Sequence, residues 1–234
     1  NVQKLFVETK EQKCDYLVIL GCKVGTGREE IKNARIEMLR VVQEMNDYSN
    51  DVNLQAWGMC KIVGLGSSCE LNQWESKQGR LVYCTVINGM KKHGESNVNV
   101  AENGCMALTD LASNDANRTI IGTEGGIPVI IQMMKQHGES YVDVAICGCG
   151  ALYYLSFDNT SNHTLIRKSK ALINKLKQKW SPQDIYADKV LGNLHESIPR
   201  IICAIISILS VVSLSVLWCV RYSLSVSMCV SLYV

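Results

Sequence analysis

Residues 98–137 read V-N-V-A-E-N-G-C-M-A-L-T-D-L-A-S-N-D-A-N-R-T-I-I-G-T-E-G-G-I-P-V-I-I-Q-M-M-K-Q-H, and this stretch decides the fold. Val98, Ala101, Cys105, Leu108 and Leu111 step by three or four, the spacing of one helix face. A second helix is expected over 115–124, broken by Gly125-Gly126. A third is expected over 127–136, with Pro128 in its first turn, where the missing N–H costs nothing. Its apolar residues are Ile127, Ile130, Ile131 and Met134. Gly94 is placed to close the preceding helix in the left-handed conformation. Ser96 is placed to cap the helix that follows by accepting a backbone N–H bond.

The same pattern returns along the chain. His93-Gly94-Glu95-Ser96 recurs 44 residues later as His137-Gly138-Glu139-Ser140. Val98, Gly104-Cys105, Ala107-Leu108 and Leu111 recur at the same offset as Val142, Gly148-Cys149, Ala151-Leu152 and Leu155. Val52, Gly58, Ile62 and Leu65 fit one unit upstream, and Val7, Cys14, Leu17 and Leu20 fit one earlier still. A decayed fifth copy ends in Leu191-Gly192-Asn193-Leu194. Self-similarity at such a period is the mark of a repeat protein, whose units bury their apolar faces only by stacking.

These residues resemble an armadillo repeat. The signature parts are A-L-x-x-L-A/S at the end of the long helix, Asn117-Arg118 in the next, and Gly125-Gly126-Ile127-Pro128 opening the third. The copy over 97–137 is strong. The copy from 140 is good until Ser169-Lys170-Ala171-Leu172 replaces Gly-Gly-Ile-Pro, and the two upstream copies are degenerate. The resemblance implies an all-α, right-handed α-solenoid of about four three-helix repeats over residues 1–180, with a decayed repeat or linker over 181–200. It also implies a concave surface, lined by the long helix of each unit, that binds an extended peptide or a partner protein.

In that family a Trp and an Asn stand on successive turns of the long helix. The corresponding positions here hold Met106 and Asp110, then Gly150 and Tyr154, and upstream Cys60 and Gly64, then Asp15 and Ile19. Only the fifth copy has an asparagine there, Asn193. The Asn series that clamps nuclear-localisation peptides is therefore absent, and the groove lacks an acidic cluster for a basic peptide. Met106, Asp110, Gly150, Tyr154 and Asn193 are the candidate partner-binding residues. A piece of a larger regulatory protein, with repeats flanking a kinase or GTPase domain, is the alternative, since the chain opens on Asn1 in mid-repeat.

Catalytic and cofactor motifs do not emerge. No cofactor or metal site is expected. The eleven cysteines include no C-x-x-C pair, and Cys147 and Cys149 point about 200° apart on a helix. They read as small buried hydrophobes. His93 and His137 occupy one loop position of two repeats, a structural placement. G-C-K-V-G-T-G-R over 21–28 lacks the Gly-Lys-Ser/Thr ending of a phosphate loop. A formal net charge of +2 gives no reason to expect nucleic acid. Asn117, Asn159 and Asn162 head glycosylation sequons, which would report sidedness if the body met the lumen.

The composition changes sharply at the end. Of 46 charged residues, only Arg221 lies beyond position 200. Residues 201–220, I-I-C-A-I-I-S-I-L-S-V-V-S-L-S-V-L-W-C-V, carry no charge and as a helix would span roughly 30 Å, a bilayer core. Three readings stand: a membrane-spanning helix that leaves the body in the cytoplasm, an apolar helix capping the solenoid, and sequence outside the native coding frame. Residues 221–234 form a short apolar tail.

Overall fold

The computed structural model describes residues 28–66, 76–181, 183 and 185–195. Among them every regular element is a helix: α1 (Arg28–Asp47), α2 (Val52–Gly66), α3 (Ser76–His93), α4 (Val98–Leu111), α5 (Asp115–Thr123), α6 (Gly126–His137), α7 (Val142–Ser156), α8 (Thr160–Arg167), α9 (Lys170–Lys179) and α10 (Ala187–His195). The protein is all-α and repeat-like. The candidate residues Asp15 and Ile19 and the whole of 201–234 fall outside the described residues.

The helix that opens each copy packs against its counterpart in the next. Helix α4 lies between α2 and α7, while α3 and α6 pack behind α4 and α7. The expected face of α4 is the buried one: Ala101, Cys105 and Leu108 are fully enclosed and Leu111 nearly so. Ala151, Leu152 and Leu155 do the same for α7. The decayed copy also folds, with Ala187, Val190, Leu191 and Leu194 of α10 buried.

A methionine–glycine pair recurs at each joint. Met45, Met90 and Met134, all buried, lie over Gly58, Gly104 and Gly148. A Cβ on Gly104 would stand 2.6 Å from the Met90 sulfur, and one on Gly148 2.8 Å from that of Met134. The glycine lets the two helices approach, and the flexible thioether fills the gap.

The loop chemistry departs from expectation. The cap of α4 is Asn97, not Ser96: the Asn97 side chain accepts from Val100 N at 3.1 Å, while Ser96 Oγ donates back to His93 O. Gly94 does not take the left-handed conformation; the positive-φ glycine among the described residues is Gly125, at φ 88°. Gly94 is small for packing, because a Cβ there would run into the Met133 sulfur and, at 2.6 Å, Met90 O. The break at Gly125 separates α5 from α6. One repeat earlier that position is Leu81, and α3 runs straight through it.

Two sets of side-chain bonds tie neighbouring copies. His93 Nε2 lies 2.8 Å from Ser49 O, His137 Nε2 2.8 Å from Gly94 O, and Trp180 Nε1 donates to Gly138 O at 2.7 Å. Each ring stands at the end of one copy and reaches the loop of the copy before it. A carbonyl facing Nε2 requires the proton on that nitrogen, and tryptophan, which can only donate, fills the third position. The second set starts at the Asn-Arg signature. Asn117 donates to Leu111 O at 2.9 Å, and Asn162 to Leu155 O at 2.8 Å. Arg118 donates to Ala112 O, and His163 Nε2 pairs with Ser156 O. Arg118 also reaches Phe157 O of the next copy at 3.1 Å.

Candidate functional site

The candidate surface is the face of α2, α4 and α7 left uncovered by the helices behind them. The seams between these three helices are stitched by polar side chains reaching a neighbour's backbone. Asn103 on α4 donates to Ala56 O of α2 at 3.0 Å, and Thr109 on α4 donates to Cys147 O of α7 at 3.2 Å.

The five candidate residues fare differently. Met106 and Asp110 are half-buried, one turn apart on α4. Burial pushes the Asp110 carboxyl up to about 6. Gly150 is buried on α7 with Thr109 Cγ2 3.6 Å from where its Cβ would be, so it supplies close approach and no side chain. Tyr154 is half-buried, its ring 5.2 Å from that of Tyr153 in an edge-on arrangement. Asn193 is engaged within the fold: its amide donates to Ser156 Oγ at 2.8 Å and holds α10 to α7.

Acidic side chains of α4 and α7 do act on one another across the seam. Burial, and then the charge of Asp143, push Glu102 up to about 6. Cys147, on the seam, is pushed up to about 12 by burial and then by Glu102, Asp143 and Asp110. Three carboxylates from α4 and α7 thus surround one stretch of the surface. Glu102 and Asp143 are 41 residues apart, not 44, because the face is built from residues that meet across a seam. Comparing equivalent columns passes over such pairs. Trp57 was missed for the same reason: it stands half-buried on α2, one turn before Cys60, with Lys61 Nζ 5.8 Å from its ring.

Cys60, Cys84, Cys105, Cys147 and Cys149 are free thiols. Burial holds Cys149 up at about 12 and Cys105 well above its ordinary value, so neither offers a thiolate at neutral pH. Cys84 is raised as well, by burial and by its bond to Glu124. Among the described residues no three His, Cys, Asp or Glu side chains gather to hold a metal ion.

The sequons are not free to report sidedness in the folded protein. Asn117 and Asn162 are buried, and their amides serve the carbonyl bonds above. Asn159 caps α8 by accepting from Asn162 N at 3.1 Å and donates to Thr119 Oγ1. Among the described residues no helix is long and apolar enough to cross a membrane.

No family model matches the chain, and neither the curated proteins nor the solved structures contain a match.

Proposed function

We propose that the chain is an armadillo-type right-handed solenoid acting as a non-catalytic scaffold. In this reading it holds a partner protein or an extended peptide on the concave wall formed by α2, α4 and α7. The observation that carries it is the composition of that wall. Half-buried Trp57, Met106 and Tyr154 lie among partly desolvated Glu102 and Asp110, an arrangement that lowers stability and offers both aromatic contact area and directed charge. Carboxylates that desolvation works against are a poor choice for a face with only a structural task.

Residues 201–220 enter as a tether of this scaffold to a membrane, with the body in the cytoplasm. The experiment is capture by the immobilised full chain, run beside a Met106→Ala/Tyr154→Ala variant and a Glu102→Gln/Asp143→Asn variant. The scaffold reading expects specific partners to be lost with both variants while the melting midpoint stays within a few degrees. Undiminished capture by both would move the binding surface away from this wall.

A further inference from the structure

The charge of the chain is divided along its length, although its sum is small. Residues 95–158 contain eight acidic side chains and two basic ones. Residues 159–183 contain six basic side chains, Arg167, Lys168, Lys170, Lys175, Lys177 and Lys179, and no acidic one. These basic residues lie on α8, α9 and the turn between them, and all six are exposed.

Their placement is not that of lysines serving the fold. Lys177 and Lys179 sit in the last turn of α9, where a cation suits the helix dipole. Lys168 and Lys170 sit at its opposite end, where the dipole disfavours a cation. The first turn of α9 has no acidic residue, and Ser169 gives it no side-chain cap. Lys175 and Lys177 are paired with Glu139 and Asp188 from neighbouring elements.

We propose that this basic face, centred on α9, docks on an anionic lipid surface. Two observations favour a membrane over a nucleic acid. The copies that adjoin this face, over residues 95–158, are acidic and would repel a polyanion lying along them. A plane met by one end of the molecule avoids that repulsion. The uncharged residues 201–220 follow α9 by about twenty positions in the sequence, and basic clusters beside an apolar segment recognise anionic headgroups. The proposal rests on the membrane reading of residues 201–220 but uses none of the wall residues, so capture of a partner and lipid docking can fail independently.

The test uses the full chain and vesicles of phosphatidylcholine, with and without about one third phosphatidylserine. Both the initial association rate and the amount bound are read, because residues 201–220 can hold to lipid of any charge. The comparison is Lys168→Gln/Lys170→Gln/Lys179→Gln, which spares the pairs Lys175–Glu139 and Lys177–Asp188. The expected result is faster and tighter binding to the anionic vesicles. That gain should be lost between about 0.05 M and 0.5 M salt. At roughly fivefold per lysine, the triple variant should bind the anionic vesicles about a hundredfold more weakly, with an unchanged melting midpoint. Equal binding to both lipids, or an undiminished gain in the variant, would overturn the proposal. So would tighter binding to a short DNA duplex or RNA hairpin than to the anionic vesicles, with the same loss in the variant.

Discussion

Replacing His137 by alanine should show how strongly one copy is fastened to the one before it. The ring is 9% exposed, its Nε2 faces Gly94 O at 2.8 Å, and it meets the Tyr141 ring edge-on at 6.1 Å. Removing it forfeits a net hydrogen bond of about 1 kcal/mol and strands the Gly94 carbonyl, at about 1–2 kcal/mol more. The vacated ring volume adds about 1 kcal/mol. The expected loss is therefore about 3 kcal/mol, which for a body of this size is a fall in melting temperature of roughly 6–12 °C. Trp180→Phe keeps a ring and deletes only the donor to Gly138 O, so it should cost less, about 1–2 kcal/mol. Urea titration followed by circular dichroism reads both values, and imidazole nitrogen shifts check that the rings of His93 and His137 carry a proton on Nε2. A His137→Ala variant within 0.5 kcal/mol of the parent, by the same scale, would show that the bond contributes nothing. A proton on Nδ1 would remove the bond itself.

Leu108→Asp places a carboxylate at a fully buried position of α4 and should cost at least about 4 kcal/mol, unfolding the array together with its neighbours; unchanged helicity and midpoint would refute the repeat frame. Gly148→Ala should cost about 1–3 kcal/mol by overpacking against Met134, and a Met134→Ala partner mutation should return part of it, which a double-mutant cycle measures. Glu102 and Asp110 are raised from ordinary values of 4.5 and 3.8 to about 6, so the native state holds more protons than the unfolded chain between about pH 4 and pH 6. Their contribution to stability is therefore lost as pH rises through that window. Glu102→Gln/Asp110→Asn should stabilise by about 1–2 kcal/mol at pH 7.5 and leave stability unchanged at pH 3.5, after allowance for the solvent both groups still meet; equal effects at the two pH values would contradict the burial assigned to these carboxyls.

What the sequence made legible is the part of the fold governed by local periodicity. The face of α4, the break at Gly125 and the place of α5, α6 and α7 follow from spacing of three and four and from one glycine pair. The loops were read less well because two physical causes favour the same residue. Gly94 was taken for a left-handed cap, whereas the Met133 sulfur and Met90 O leave no room for a Cβ. Ser96 and Asn97 are both competent caps, and only the backbone at φ −136° assigns the role to Asn97. Nothing in the string separates these cases, since Met133, 39 positions away, decides the first and the local backbone angle the second.

The binding wall was harder still, for a reason rooted in the geometry of stacked helices. Equivalent residues of successive copies share an environment, so a column records what the core requires at that point. The residues of the outer face interact across a seam, and their separations are 47 for Asn103 and Ala56, 41 for Glu102 and Asp143, and 38 for Thr109 and Cys147. The spread arises because each pair joins different heights on neighbouring helices. A column can therefore look nondescript, as the one holding Cys60, Met106 and Gly150 does, while the diagonals beside it gather Trp57, Glu102 and Asp143 onto one face. The same geometry consumes Asn193, the one residue that the columns favoured: its amide lies beside Ser156 Oγ, 37 positions away, and is spent inside the array. In a stacked-helix protein the core repeats along columns and the surface is composed along diagonals, so the periodicity that reveals the fold carries little information about the binding face.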